Sequence, residues 1–495
     1  MEKLLKIHPS DNVVVATTII SKGEIINIDN ITVKVNEDIP SGHKIAIANI
    51  SKDENLIKYG NPIGYALIDI QIGDHVHVHN VKTNLSDCMT YEYHPKFQEL
   101  DIAPLNKTFK GYKRKNGDVG IRNELWIIPT VGCVNGQANS IVKIFKQQHQ
   151  TEAIENIHVF GHNYGCSQLG DDHINTRTVL GNMIKHPNAG GVLVLGLGCE
   201  NNQISELKKS LGEYDETRVK FLNSQDVDNE IEEGIKLIEE LYASMQKDSR
   251  TNCPIADLKI GLKCGGSDGF SGITANPLLG VFSDILIANG GSTVLTEVPE
   301  MFGAEHILME RAKDEEVFNK TVHLINDFKQ YFIKHDQPIY ENPSPGNKAG
   351  GITTLEDKSL GCTQKGGSAK IVDVLKYGEA IQKSGLNLLS SPGNDLVAAS
   401  ALGFAGCQMV LFTTGRGTPF GSFIPTMKIS TNSNLAKRKS HWIDFNAGTL
   451  LETGDINSLA VDFLDYIIEV ASGTELNHEK TGFREIAIFK SGVTL

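Results

Sequence analysis

The sequence predicts a multidomain α/β protein with a small all-β module at its N-terminus. The length of 495 residues is enough for about three domains. Residues 1 to about 90 contain short alternating runs separated by turns, whereas later apolar strand candidates alternate with helical stretches. The second pattern is typical of parallel sheets covered by helices.

Composition limits the classes of protein to which the chain can belong. Hydrophobic residues make up 40% and charged residues 22%, and no apolar run approaches the roughly 20 residues that cross a bilayer. The net charge of −13 argues against nucleic acid as a partner. Without a membrane segment or a secretion signal we expect a cytoplasmic protein. In that compartment its eight cysteines are expected to be thiols or metal ligands rather than disulfides.

The N-terminal module is predicted to span residues 1–90, followed by a linker at 91–108. The signals for the module are apolar runs at 12–16 and 44–48 and turn-forming sequences at 40–42 and 60–62. The linker contains two prolines and shows no sustained period.

Two α/β domains are predicted after the linker, at residues 109–250 and 251–495. Strand candidates in the first are 125–129, 157–160 and 191–197, with a helix at about 228–245. Strand candidates in the second are 258–262, 293–296, 387–389 and 409–412.

Five of the eight cysteines have similar settings, each beside a glycine: Cys133, Cys166, Cys199, Cys264 and Cys362. The first four follow predicted strands. Because the carboxyl ends of parallel strands meet at one edge of a sheet, these thiols are predicted to gather there. One such cysteine alone would be interpreted as a small packing residue. Ligands from separate strand ends also suit an iron site.

The loop around Cys166 is unusually rich in reactive groups. His162, Asp172, His173 and Arg177 supply an acid, bases and a guanidinium within sixteen residues. The alternative interpretation is a helix start that is capped by an aspartate and stabilised by an ion pair.

A glycine-rich loop follows the predicted strand at 258–262. It contains Ser267 and Asp268 and has backbone amides that could bind a carboxylate. Its spacing matches no nucleotide-binding fingerprint. Three further glycine-rich turns each carry one cation, at Lys348, Lys365 and Arg416, and suit a small carboxylate or polyol.

Histidines occupy alternate positions at His75, His77 and His79. If this segment is a strand, the three imidazoles share one face and can bind a metal or an anion. The alternative is a solvated polar face.

Several runs together resemble the altronate and galactarate dehydratase family. They are Gly-Asp-Val-Gly-Ile-Arg-Asn-Glu-Leu-Trp at 117–126, His-Asn-Tyr-Gly-Cys-Ser-Gln-Leu-Gly-Asp-Asp-His at 162–173, Gly-Leu-Gly-Cys-Glu-Asn-Asn at 196–202, Cys-Gly-Gly-Ser-Asp-Gly at 264–269 and Thr-Gly-Arg-Gly-Thr-Pro at 414–419. The resemblance covers essentially the whole chain. The runs at 75–80 and 489–495 resemble the members that act on altronate more than those that act on galactarate.

The resemblance implies a fold and an activity. The fold is an N-terminal β-clip (SAF) domain, a middle domain that serves dimerisation, and a C-terminal Rossmann-like variant with a parallel sheet. The activity is the iron-dependent conversion of D-altronate into 2-dehydro-3-deoxy-D-gluconate by a hydro-lyase of hexuronate catabolism. We therefore expect a homodimer that binds a sugar acid.

The chemistry implied by the resemblance suggests roles for the candidate residues. The reaction removes the C2 proton and expels the C3 hydroxide, and a metal would stabilise the charge that develops. The hypothetical iron ligands are Cys133, Cys166, Cys199 and Cys264. The metal is either Fe²⁺ or a 4Fe-4S cluster, with Mn²⁺ as an alternative ion.

The remaining candidates are catalytic and substrate-binding residues. His173 is the predicted base, with His162 second and Asp172 beside them. The predicted substrate-binding residues are Arg177 and Arg416 for the carboxylate, Lys348 and Lys365 for the hydroxyls, and Ser267, Asp268, His75 and His77.

Two other functions remain open at this stage. One is a dehydratase of the same family that acts on galactarate or another sugar acid. The other, from a different class, is a sugar-acid binding protein without turnover. The concentration of thiols argues against the second, because binding alone does not need them.

Overall fold

The computed structural model describes residues 2–149 and 157–495. It confirms a multidomain α/β architecture that begins with an all-β region. No helix in these two ranges is long and apolar enough to cross a membrane.

The N-terminal region is built from short antiparallel strands. They are β1 (Leu4–Leu5), β2 (Val13–Ala16), β3 (Ile25–Ile28), β4 (Ile31–Lys34), β5 (Lys44–Ala46), β6 (Asn55–Lys58), β7 (Asn61–Ala66), β8 (His75–Val76) and β9 (Val81–Lys82). They form sheets of order β1-β2-β5-β8, β3-β4 and β6-β7-β9. Two small apolar cores lie beneath these sheets.

The histidine-rich segment forms only a very short strand. Strand β8 covers His75 and Val76, and the next four residues form a turn before β9. The expectation of one strand face that carries three imidazoles therefore does not hold.

A long extended segment joins the all-β region to the rest of the chain. Of the described residues, none between 83 and 107 lies in a helix or strand. The segment is nevertheless tied to the C-terminal region, because the Tyr91 hydroxyl donates to Glu305 at 2.6 Å and that of Tyr93 donates to the Ala312 carbonyl at 2.8 Å.

The middle region contains a four-stranded parallel sheet of order β13-β12-β14-β15. Its elements are β10 (Thr108–Lys113), β11 (Val119–Gly120), β12 (Glu124–Pro129), α1 (Asn135–Gln148), β13 (Ile157–Val159), α2 (Gly170–Lys185), β14 (Ala189–Gly196), α3 (Ile204–Leu211), β15 (Val219–Asn223), α4 (Glu230–Met245) and β16 (Thr251–Pro254). Helices α1 and α4 cover one face of the sheet. Strands β11, β10 and β16 form a separate antiparallel sheet.

The C-terminal region contains a seven-stranded sheet of order β19-β20-β18-β17-β21-β22-β23, in which all pairs are parallel. Its strands are β17 (Lys259–Cys264), β18 (Ser292–Leu295), β19 (Ile371–Leu375), β20 (Gly385–Leu389), β21 (Met409–Thr414), β22 (Thr426–Ser430) and β23 (Phe445–Asn446). Its helices are α5 (Ala275–Ala288), α6 (Glu305–Met309), α7 (Glu315–Lys334), α8 (Pro345–Ala349), α9 (Leu355–Cys362), α10 (Asp395–Phe404), α11 (Ser433–Arg438), α12 (Leu450–Thr453), α13 (Ile456–Ala471) and α14 (Asn477–Lys480).

The middle and C-terminal regions share one apolar core. Trp126 and Phe160 of the middle region pack edge to face against Phe423, which stacks on Phe404. All four side chains are almost wholly buried. Burial of aromatic rings on both sides of a boundary fixes the relative orientation of the two sheets.

A buried carboxylate joins the all-β region to the C-terminal region. The two oxygens of Asp357 contact Lys44 Nζ at 2.8 Å and Lys58 Nζ at 2.9 Å, and all three side chains are at most 3% exposed. Burial favours the neutral form of Asp357, but the two ammonium groups outweigh it and lower the pKa of this carboxyl. The two buried lysines therefore share one counter-ion, the carboxylate of Asp357.

Replacing Asp357 by asparagine is expected to lower the free energy of unfolding by about 3–5 kcal/mol, because two buried ammonium groups lose their anion. Asp373 offers a matched control, since it lies between Lys320 at 3.2 Å and Lys383 at 3.1 Å but near the surface, where both lysines are over 40% exposed. Asp373→Asn should lower the free energy of unfolding by less than about 1 kcal/mol. Urea unfolding of the two variants measures the difference, and equal losses would contradict the role of Asp357.

Candidate active site

Three loops at the edge of the middle sheet carry exposed cysteines. Cys133 follows β12, Cys166 follows β13 and Cys199 follows β14. The loops are bonded to one another: Gly132 N donates to Tyr164 O at 3.0 Å, and Asn202 N donates to Gly165 O at 2.9 Å. We call this arrangement the three-cysteine edge.

Close backbone packing makes this edge possible. A Cβ atom on Gly165 would lie 2.0 Å from the Thr130 carbonyl oxygen, and the φ of Gly165 is +98°. Only glycine tolerates both conditions, so this residue lets the Cys166 loop approach the Cys133 loop.

A buried carboxylate fixes the third loop. Glu200 is 2% exposed and accepts hydrogen bonds from Gly198 N at 2.6 Å, Leu197 N at 3.2 Å and Thr130 Oγ1 at 2.5 Å. Sequence reasoning did not single out Glu200. The one feature of the sequence that could have pointed to Glu200 is its position directly after Cys199.

The spacing of the thiols bears on what they can bind. Among the described residues, the Sγ atoms of the three cysteines do not all lie within 4.8 Å of one another. Thiolates around one tetrahedral ion lie roughly 3.8 Å apart, given metal–sulfur bonds of about 2.3 Å. The set is thus too wide for a single ion as placed.

Helix α2 brings a base and a guanidinium to the same edge. Arg177 Nη2 donates to His173 Nε2 at 2.9 Å, and Arg177 Nε donates to Asn202 Oδ1 at 3.3 Å. The Nδ1 atom of His173 is buried without a hydrogen-bond partner. Burial, and then the charge of Arg177, lower the pKa of His173 below its usual value, so this imidazole is neutral at pH 7.

His162 does not have the free nitrogen that a base needs. Its Nε2 donates to the Pro129 carbonyl at 2.8 Å, and its Nδ1 accepts from Tyr164 N at 3.1 Å. These contacts make the ring a support for the loop that leads to Cys166, and they favour His173 over His162 as the base.

Asp172 is bonded to the C-terminal segment of the chain. Its buried carboxylate accepts from Ser491 N at 2.9 Å and Gly492 N at 2.6 Å. The same C-terminal segment continues along the Cys166 loop, where Leu495 N donates to Ser167 O at 2.9 Å. The carboxylate was predicted to act near the base because its partners, more than 300 residues away, are invisible in the local sequence.

Cys264 does not join the three-cysteine edge. It is buried in the C-terminal region, where its Sγ lies 3.3 Å from the Sγ of Cys362 and 3.3 Å from Glu300 Oε2. The structure therefore does not group Cys264 with the other three cysteines, but places it with Glu300 and Cys362, whose ligand atoms lie within 4.8 Å of one another. Hydrogen bonding to Cys264 and burial raise the pKa of the Cys362 thiol.

Lys365 lies in the same buried cluster. Its Nζ is 2.9 Å from Cys264 Sγ and 3.3 Å from Glu297, and the side chain is 1% exposed. Its charge is thus paired inside the protein, and its contact with substrate hydroxyls stays a prediction.

A second set of predicted residues lines a cavity between the all-β and C-terminal regions. This interdomain cavity has a volume of about 560 Å³, and its walls include Ser41, Asp268, Gly350, Arg416 and Arg438. Asp268 accepts from Thr431 Oγ1 and Asn432 Nδ2, and burial raises the pKa of its carboxyl.

Two other candidates lie beside this cavity. Ser267 is buried, and its hydroxyl has no hydrogen-bond partner. With Asp268 it lines a much smaller inner cavity. Lys348 lies in α8, next to Ala349, which lines the interdomain cavity. The structure thus divides the predicted site into the three-cysteine edge and the interdomain cavity.

Four imidazoles meet on the all-β region beside this cavity. His43 Nδ1 lies 3.0 Å from His75 Nε2, and the ring centroids of neighbouring pairs among His43, His75, His77 and His79 are 4.9–5.5 Å apart. His77 Nδ1 contacts Thr353 Oγ1 of the C-terminal region at 3.3 Å. Burial lowers the pKa of His75 to about 4 and that of His77 to about 3. His43 was not predicted, because only strand pairing brings it here.

Family models match three successive parts of the chain. The altronate/galactarate dehydratase SAF domain matches residues 2–84, the second domain of D-galactarate dehydratase/altronate hydrolase matches 111–246, and the C-terminal domain of D-galactarate/altronate dehydratase matches 255–494. The chain belongs to the altronate/galactarate dehydratase family. Its all-β region is accordingly a SAF domain.

Individual members of the family match over almost the full length. Altronate dehydratase of Bacillus subtilis (strain 168) is 61% identical over 100% of both chains, and that of Escherichia coli (strain K12) is 60% identical over 99% of both. Galactarate dehydratase (L-threo-forming) of Escherichia coli (strain K12) is 32% identical over 95% of this chain and 92% of its own. The resemblance noted in the sequence is thereby confirmed.

Proposed function

We propose that this protein is a hydro-lyase that converts D-altronate into 2-dehydro-3-deoxy-D-gluconate. The observation that carries the proposal is the 60–61% identity, over essentially the whole chain, to two altronate dehydratases. The galactarate enzyme, at 32%, is about half as similar. This difference favours altronate as the substrate.

The three-cysteine edge is the proposed reaction centre. It combines exposed thiols with a neutral imidazole and a guanidinium, and its loops are fixed by buried groups such as Glu200. Cys133, Cys166 and Cys199 would hold the iron, because thiolates are soft ligands that suit this metal and the three loops that carry them are neighbours at one sheet edge. When bound, iron would supply Lewis acidity that stabilises negative charge on the substrate and on the departing hydroxide.

Arg177 is the proposed partner of the substrate carboxylate. Its planar guanidinium can form two parallel hydrogen bonds to a carboxylate, which fixes the orientation of the acid. One of its N–H groups is directed to His173 in the structure. Binding of the carboxylate would draw the guanidinium away from this nitrogen.

His173 is the proposed base for the C2 proton. Because Arg177 donates to Nε2, that nitrogen carries the lone pair in the neutral ring. Withdrawal of Arg177 towards the substrate would expose this lone pair next to the acid. Substrate binding and activation of the base are then coupled through one hydrogen bond.

Turnover of D-altronate is expected for protein purified without oxygen and supplied with ferrous iron and a reductant. Formation of the 2-keto acid measures it, with galactarate assayed in parallel. We expect kcat/KM for altronate to exceed that for galactarate. Tight altronate binding without keto acid would instead identify a binding protein, and preference for galactarate would overturn the substrate assignment.

Replacement of Cys199 by serine is expected to remove most of the iron and the activity together, since an alcohol is a poor ligand for iron in such a site. Cys88→Ser is the matched control and should keep its iron, because Cys88 lies on the extended segment, where its thiol donates to the Asn326 carbonyl. Metal analysis and absorption spectra of both variants measure the effect. Full iron content in the Cys199 variant would exclude this residue from the site.

His173→Gln is expected to lower kcat by about 10²- to 10⁴-fold, the usual contribution of a general base. A base must be unprotonated, and the pKa of His173 is lowered from 6.5. The kcat/KM of the unmodified protein should therefore stay level down to about pH 6.5 and fall in more acidic solution. The His173→Gln variant should no longer show this fall of kcat/KM in acidic solution.

His94→Gln is the control, because His94 is exposed on the extended segment. It should retain both the activity and the fall of kcat/KM in acidic solution. Normal turnover in the His173 variant would contradict the assignment.

A further inference from the structure

We propose that Glu37, His75 and His79 form a second metal site, which binds one divalent transition-metal ion on the SAF domain. One ligand atom from each residue lies within 4.8 Å of the other two. The site is separate in chemistry from the three-cysteine edge, because it offers nitrogen and oxygen rather than sulfur. The proposal does not depend on the substrate or on the reaction.

The loop that carries Glu37 is tied to the segment before His75. Asn36 N donates to Gly73 O at 3.0 Å, and Asn36 Nδ2 donates to Asp74 Oδ1 at 2.7 Å and to Ile72 O at 3.1 Å. These bonds on the neighbouring residue hold the carboxylate of Glu37 near the imidazole of His75. The approach of an acid to two histidines is thus built into the backbone.

A buried asparagine shapes the turn that carries the two histidines. Asn80 is 3% exposed, accepts from His77 N at 2.9 Å and donates to His75 O at 2.9 Å. The turn places the ring centroids of His75 and His79 5.5 Å apart. In a continuous strand the two histidines, which are four positions apart, would share one face but would lie far from each other along the strand. The turn is therefore what brings both imidazoles to one point.

A chain of hydrogen bonds fixes which nitrogen of His75 is free. The Ala349 carbonyl can only accept, so His43 Nε2, at 3.4 Å, carries a proton. In a neutral ring His43 Nδ1 then accepts from His75 Nε2 at 3.0 Å. The lone pair of His75 is consequently on Nδ1, away from His43. Metal-bound histidines usually donate their other ring N–H to an acceptor in this way.

The donor set indicates the class of ion. Two imidazoles and one carboxylate suit Fe²⁺, Mn²⁺ or Zn²⁺ and leave further positions open. Glu37 and His79 are exposed, so the ion would exchange readily with solvent. His43 connects His75 to Ala349 in the wall of the interdomain cavity, so two imidazole rings, those of His75 and His43, would separate the ion from that wall.

Titration of the chelator-treated full chain with Mn²⁺, followed by the electron paramagnetic resonance signal of the free ion, tests the site. We expect one saturable site per chain, weakened at least about tenfold in both Glu37→Gln and His79→Ala. His94→Ala is a matched control, because His94 lies 3.2 Å from the carboxylate of Glu92 on the surface. It should bind Mn²⁺ like the unmodified chain. His43→Gln should weaken binding about tenfold, as loss of a positioning partner does.

The variants of the cysteine loops separate the two metal sites. A chain with Cys133, Cys166 and Cys199 all replaced by serine should bind Mn²⁺ with unchanged affinity. Loss of the ion from that chain would assign it to the three-cysteine edge and overturn the proposal. Equal affinity in His79→Ala and the unmodified chain, or no saturable binding by the unmodified chain, would overturn it as well. Turnover is not measured, so failure of the proposed reaction leaves this test intact.

Discussion

The parallel arrangement of β12, β13 and β14 is the constraint on which the candidate active site depends. Parallel neighbours end at the same edge, so loops that lie some 30 residues apart in sequence are adjacent in space. The sheet alone does not position the thiols. Buried polar groups complete the task, because Glu200 and the close approach at Gly165 hold the loops against one another.

A different principle governs the interdomain cavity. Here two domains of different architecture meet, and buried charged groups join them beside a small apolar cluster that includes Ala304 and Leu360 of the C-terminal domain. Asp357 attracts two lysines of the SAF domain, and the histidines of that domain reach Ala349 and Thr353 of the C-terminal domain. Removing charges from water is costly, so such contacts tolerate little displacement. The two walls of the cavity are therefore held in a fixed position relative to each other, although a long extended segment joins the two domains in sequence.

Much of the fold could be predicted from the sequence. The buried strands of both parallel sheets appear as short apolar runs, and the predicted ranges agree with β12, β14, β17 and β21 to within two residues at most ends. The grouping of Cys133, Cys166 and Cys199 could also be anticipated, because each directly follows such a strand.

The differences between the predicted and the observed arrangement of the site residues have a common physical cause. Cys264 also follows a strand, but that strand belongs to the other sheet, and no local pattern reveals which sheet a strand joins. Lys365 and Asp172 have the composition of site residues, yet long-range packing gives them buried partners. His43 and Glu37 were missed for the converse reason, because only strand pairing and turns bring them to His75.

The anchoring of residues 491–495 on the Cys166 loop has a consequence for biosynthesis. Ser491 is 319 positions downstream of Asp172, to which it is bonded. A ribosome makes the loop early and its anchor late, so the nascent middle domain emerges with that loop only partly braced. The Cys166 loop would accordingly reach its final packing only after this distal segment has emerged, and peptides fused near residues 491–495 would perturb a region remote in sequence.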